Sequence, residues 1–203
     1  MQIISSEQVD ISSIVAALKL GSTLVYPTET CYGLGCDATQ ETAIEQVFAI
    51  KKRQQEKSVL VIFPDITMAK QYVEWNPTID TIATKYWPGP VTVVSRVLSP
   101  GILPQGVVSL SGTIAFRVSS HPLVQEISAA LQKPLVSTSA NISAQASPYD
   151  IESVVGMFAN ELDQPDIIID GGNLPHRAPS TIVAVHSDER IEILRQGDMV
   201  IDV

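Results

Sequence analysis

Thr23-Leu-Val-Tyr-Pro-Thr-Glu-Thr-Cys-Tyr-Gly-Leu-Gly-Cys-Asp-Ala38 carries the first decision about the fold. The apolar run Thr23–Tyr26 is stopped by Pro27 and reads as a strand. A polar, turn-forming segment follows. From Ala38 to Lys52, Ile44, Val47 and Phe48 then fall on one helical face, and Glu41 sits in the first turn, where the helix dipole favours an acid. Strand, turn and helix in that order are the building unit of an α/β domain.

The alternation continues on both sides. Val9, Ile11, Ile14, Val15 and Leu18 give Ser6–Leu20 a helical period that Gly21 ends. Val59–Phe63 is a continuous apolar run, as in a buried strand, and helical stretches follow over 66–74 and 78–86. After the turn Trp87-Pro-Gly-Pro90, the patterns predict strands over 91–97 and 113–118, a helix over 122–131 and a strand over 135–137. A helix over 151–162 and strands over 167–170, 181–186 and 191–194 complete the chain. Because the last strands follow one another without a helix, the sheet is expected to be mixed. Ser99–Gly112, rich in Pro and Gly, reads as a long surface loop. With 203 residues, no repeats and no linker-like stretch, residues 1–203 are expected to form one domain.

Charge excludes several functions. The net charge of −9 is uneven: residues 1–149 hold 10 basic and 11 acidic side chains, residues 150–203 hold 3 and 11. A protein that coats DNA needs a net basic face, so that class is excluded, although a basic pocket in the first three-quarters is not. The surplus acids of the last quarter are expected to face solvent. The longest apolar runs, such as Ile14–Leu18 and Ser58–Phe63, fall far short of the ~20 residues a bilayer helix needs. The N-terminus lacks the basic and apolar regions of a secretory signal. Cys31 and Cys36 are too few and too close for a disulfide framework, which points to a reducing, cytoplasmic setting.

Four features can carry chemistry. Gly33-x-Gly35-x-x-Ala38 fits a loose dinucleotide-binding fingerprint, but the seven residues from Pro27 to Gly33 are mostly polar or turn-forming, whereas that motif needs the strand to run straight into the first glycine. The glycines otherwise serve tight packing. Thr28 and Thr30, beside Glu29, are placed to bind a small polar ligand. Lys51-Lys-Arg-Gln-Gln-Glu-Lys57 concentrates four of the 13 basic residues; it is either a solvated helix C-terminus or a grip on polyphosphate. Ser137-Thr-Ser-Ala-Asn-Ile-Ser-Ala-Gln-Ala-Ser147 offers short hydroxyls for caps and turns, with Ser147 the best capping candidate, or donors for phosphate and sugar oxygens, above all Ser139 and Asn141. Arg117, inside the apolar strand Ile114–Val118, must have an anion, either an internal carboxylate or a ligand carboxylate. Arg195 poses the same question with less force. The chain has no GxxxxGK[ST] loop, no nucleophile elbow and no nucleophile–base pair. His121, His176 and His186 lack metal-ligand spacing, and two cysteines do not make a zinc site.

Tyr26-Pro-Thr-Glu-Thr30, Lys51-x-Arg53, Trp87-Pro-Gly-Pro90, Arg117-Val118, Ser137-Thr-Ser-Ala-Asn141, Pro179-Ser-Thr-Ile-Val183 and Leu194-Arg-Gln-Gly197 together resemble the YrdC/TsaC family, the threonylcarbamoyl-AMP synthases, from about residue 8 to 197. The resemblance implies an α/β fold, a twisted mixed sheet with flanking helices and a concave basic pocket. It implies the reaction of L-threonine, bicarbonate and ATP to threonylcarbamoyl-AMP and pyrophosphate, for modification of the adenosine beside the tRNA anticodon. The paired K-x-R and S-x-N signature would be catalytic as Lys51, Arg53, Ser139 and Asn141. Thr30, Arg117, Ser137 and Ser180 would hold threonine. Lys51, Arg53, Lys57, Thr113, Ser139, Asn141, Ser147 and Arg195 would surround ATP, with Mg²⁺ held through the ATP phosphates. The implied partners are these small substrates and a tRNA threonylcarbamoyl transferase complex, with weak tRNA contact and no membrane. Gln54 stands where the family usually has Pro, which leaves that loop less fixed. Ile62 stands where many longer relatives have His, so a threonine contact there would be lost. The expected type is the short, single-domain one. The rival reading is a non-catalytic RNA-binding or ribosome-maturation module that uses the same concavity; a second enzyme-class rival is carbamoyl-adenylate formation from carbamoyl phosphate.

Overall fold

The computed structural model describes residues 1–54 and 56–202; Gln55, inside the basic stretch 51–57, and Val203 lie outside the described residues. The chain begins with β1 (Gln2–Ser5), a 3-10 turn over Ser6–Gln8 and α1 (Ile11–Lys19). The helix expected from Ser6 starts at Ile11, because the Asp10 carboxylate accepts from the Ser12 amide at 3.1 Å and caps it. Next come β2 (Leu24–Pro27), β3 (Tyr32–Gly35), α2 (Glu41–Lys51) and β4 (Val61–Ile62). Only two residues of the run 59–63 pair as strand; the Val59 amide bonds instead to Gly106 O at 2.8 Å. The helical stretch 66–74 shortens to α3 (Ile66–Ala69).

Asn76 caps α4 (Pro77–Tyr86), and Pro77 at its first turn loses no helical hydrogen bond. Then follow β5 (Val91–Arg96), β6 (Thr113–Arg117), α5 (Pro122–Leu131), β7 (Leu135–Val136) and β8 (Thr138–Ser139). The segment 99–112 is a loop, as its composition predicts, but Leu103 and Val107 are buried and anchor it to the core. α6 (Ile151–Phe158), β9 (Ile167–Asp170), β10 (Thr181–Val185) and β11 (Ile191–Arg195) complete the fold.

The sequence pointed to one mixed sheet; the described residues form two. The smaller has the order β1-β9-β2-β3-β8 and the larger β11-β10-β5-β6-β4-β7. Both are mixed, with β9 parallel to β1 and β2, and β10 parallel to β5, among otherwise largely antiparallel pairs. Ser137 is the crossing point, since β7 ends in the larger sheet and β8 begins in the smaller. Two-residue strands are too short to show a period, so sequence patterning merges them. On the smaller sheet α1 and α5 bury Ile14, Leu18, Val124, Ile127 and Leu131 against Leu24 and Tyr26. The larger core gathers Val47, Phe48, Val61, Val93 and Phe158 around an aromatic group in which Trp87 meets Phe116 at 5.6 Å.

Candidate functional site

Where the sheets meet lies an open cleft with a volume of about 230 Å³. One wall is the turn between β2 and β3. The Thr28 hydroxyl shapes it, accepting from the Thr30 amide at 3.1 Å and donating to Cys31 O at 2.7 Å. Thr28, Thr30, Cys31 and Gly33 consequently face the cleft. Gly35 has a packing reason: a Cβ there would stand 1.9 Å from Val136 O. Gly35 therefore closes β3 against the β7 segment, the tight-packing role expected of these glycines.

Lys51, at the end of α2, is only 2% exposed. Its ammonium donates to the carbonyls of Ser139 and Asn141 (the latter at 2.8 Å) and to Asn141 Oδ1 at 3.2 Å. Asn141 Oδ1 also accepts from the Ser139 hydroxyl, and its Nδ2 donates to Ile142 O and Gln145 O. The lysine and the asparagine thus bolt the two halves of the signature together. Neither lines the cleft, whereas Arg53 and Ser139 do. The polar atoms of Lys51 and Asn141, both expected to surround ATP, are thus engaged by the protein. Burial, and next the Arg53 charge, push the Lys51 ammonium down to about 8.

Two other expected residues lie off the cleft. The Lys57 side chain is exposed and points elsewhere, while its carbonyl accepts from Arg53 Nε at 2.8 Å. Arg53 Nη2 donates to Ser58 O at 2.9 Å, so the arginine ties the end of α2 to the start of the run that leads into β4. Thr113, at the start of β6, is taken up by a hydroxyl cluster with Ser109 at 2.8 Å and Ser111 at 3.3 Å. Ile62 is buried in the α1/α5 core and does not line the cleft. Ser147 does line it; the cap of α6 is Asp150, whose carboxylate accepts from the Ser153 amide at 2.6 Å.

Arg117 ends β6 with 3% exposure and finds its anion inside the protein: it pairs with Glu29. The other Glu29 oxygen accepts from the Ser119 hydroxyl at 2.6 Å. Arg117 still lines the cleft, and its Nε is buried with no protein acceptor. Burial pushes the guanidinium down to about 10, so it is cationic at neutral pH. Arg195 ends β11, donating to Ser180 O at 2.8 and 3.0 Å and to Ser180 Oγ at 3.1 Å. Gly197 lets this rim close, because a Cβ there would stand 2.1 Å from Pro179 O.

The cleft thus brings together Thr30, Arg53, Arg117, Ser137, Ser139, Ser147, Ser180 and Arg195, and no Asp or Glu lines it. The acids of the last quarter stay off its wall, as expected. Sequence reasoning missed Ser58 and Thr138, which also line it, and Glu29 as the Arg117 partner. The signal for Glu29 was available: a strand-buried arginine needs a carboxylate, and Glu29 is the one acid of the polar turn. Among the described residues no group of three His, Cys, Asp or Glu could hold a metal ion. No helix among them is long and apolar enough to cross a membrane.

A sequence model for the Sua5/YciO/YrdC family, described as "Telomere recombination", matches residues 16–197. The chain is 34% identical over 191 residues to the threonylcarbamoyl-AMP synthase of Vibrio cholerae, covering 93% of this chain and 97% of that one. It is 36% identical over 155 residues to the same-named protein of Yersinia enterocolitica, covering 75% and 80%. The structure of P. abyssi Sua5 complexed with L-threonine superposes with a TM-score of 0.86 at 26% identity, over 97% of this chain but 58% of that one. E. coli YciO superposes at 0.79 with 26% identity, over 93% and 89%.

Proposed function

The chain belongs to the Sua5/YciO/YrdC family, and on that premise we propose that it is a threonylcarbamoyl-AMP synthase acting on L-threonine, bicarbonate and ATP. The observation that carries this reading is the cleft: three guanidiniums and a ring of hydroxyls in one concavity, with no carboxylate on its wall. Such a lining suits an anionic nucleotide and an amino acid together, and does not suit a strong general base.

The reaction needs none at phosphorus. Threonine and bicarbonate form a carbamate, with loss of water. Its anionic oxygen attacks the α-phosphorus of ATP, the bond to the β-phosphate oxygen breaks, and pyrophosphate leaves with the electron pair. Catalysis is then positioning and neutralisation of charge. Arg117, Thr30, Ser137 and Ser180 hold the amino acid. Arg53, Ser139, Ser147 and Arg195 hold the nucleotide, and Lys51 and Asn141 keep Ser139 in place. The cleft has no carboxylate for a hard cation, so Mg²⁺ would enter coordinated by the ATP phosphates, as this ion prefers. The product would serve a tRNA threonylcarbamoyl transferase in the cytoplasm.

Purified protein should release pyrophosphate from ATP only when threonine and bicarbonate are both present. Release that ignores threonine, or none at all, would reject the reading. Salt-sensitive RNA binding without that chemistry would support the RNA-binding module instead.

A further inference from the structure

We propose that Glu29 is a positioning residue that sets specificity: by pairing with Arg117 it divides the cleft into a cationic end for polyphosphate and a charge-neutral end for the amino-acid carboxylate. This rests on the reading that threonine and ATP are the ligands.

The three cleft arginines are partnered differently. Arg53 donates to the carbonyls of Lys57 and Ser58, and Arg195 to the carbonyl and hydroxyl of Ser180. Carbonyls and hydroxyls carry no net charge, and among the described residues neither arginine makes an ion pair. Both keep their full field. Arg117 alone meets a carboxylate, and that carboxylate is held from behind by Ser119. The side chains of the pair are 4% and 8% exposed, so solvent screens them little.

Arg117 therefore presents directed N–H donors with little net charge. A triphosphate gains strongly from Arg53 and Arg195, whereas the pull of Arg117 on it is offset in part by Glu29 behind the guanidinium. A zwitterionic amino acid brings no net charge and keeps the hydrogen bonds. Repelling the wrong occupant is a recognised source of specificity. Glu29 also fixes the orientation of the guanidinium before ligand arrives.

Calorimetric titration with L-threonine and, separately, with inorganic pyrophosphate tests the proposal. In the wild type, threonine and pyrophosphate should bind without competing. In Glu29→Gln, threonine affinity should fall about tenfold, the loss expected for a charge-assisted contact, and pyrophosphate should now compete with threonine for the freed Arg117. A merely structural role would weaken both ligands and create no competition. Ser119→Ala, which keeps the charge but frees the carboxylate, should weaken threonine without new competition. Unchanged threonine binding in Glu29→Gln, loss without competition, or, should that variant not fold, unchanged threonine binding in Ser119→Ala overturns the proposal. Wild-type protein that binds no threonine overturns the functional reading, and this one with it.

Discussion

Lys51 and Arg53 are two residues apart and have opposite tasks. The Lys51 ammonium is buried against three oxygens of Ser139 and Asn141, so Lys51→Met leaves those acceptors without a donor. Unfolding by urea should show a loss of roughly 3 kcal/mol. The same residue couples stability to pH. Its ammonium is held down to about 8 from 10.5, so between those values the unfolded chain binds the proton and the folded one does not. Stability of the wild type relative to Lys51→Met should therefore rise from pH 8 to 10.5 and stay flat below 8. A flat difference across that window would contradict the burial argument. Arg53→Lys keeps the charge but cannot span the carbonyls of Lys57 and Ser58 as a rigid fork. KM for ATP should rise about tenfold while KM for threonine moves far less, as steady-state kinetics would show.

At the scale of elements, the hydroxyl segment 137–147 and the helix after it separate cleanly. Asp150 caps α6 and Ser147 lines the cleft. Asp150→Ala should lower the midpoint of thermal or chemical unfolding, with substrate constants unchanged. Ser147→Ala should stay within about 0.5 kcal/mol in stability and raise KM for ATP. The reverse pattern would return the cap to Ser147. Long periodic elements such as α5 were legible in the sequence because one buried face repeats over several turns. β3 and β8 were not, because their two to four residues carry no period and two glycines weaken β3, whereas β7 was expected as the strand over 135–137. Those short strands nevertheless make the cleft, since Ser137 lies where the chain changes sheets.

Across the whole molecule, a chain of net charge −9 presents a cleft with three arginines and no acid. The two fields oppose each other for an anionic nucleotide, and distance decides between them. Screening acts over about 10 Å at 0.1 M salt, so Arg53 and Arg195, which make no ion pair among the described residues, outweigh the scattered distant acids even though Glu29 offsets Arg117. ATP affinity should fall when salt rises from about 0.05 to 0.5 M; an increase would mean that the global charge dominates. The amino-acid sequence alone determined the α/β class, most helices, the residues of the hydroxyl turn and the basic rim, because each is written in neighbours a few positions apart. It left open which members of the K-x-R and S-x-N pairs line the cleft, whether Arg117 has an internal anion, and how the strands divide between sheets. Those were decided by contacts such as Arg117 with Glu29, 88 positions apart, and Lys51 with Asn141, 90 apart. Local periodicity carries no information about such pairings: they exist only once two sheets have packed and excluded water from the charges between them.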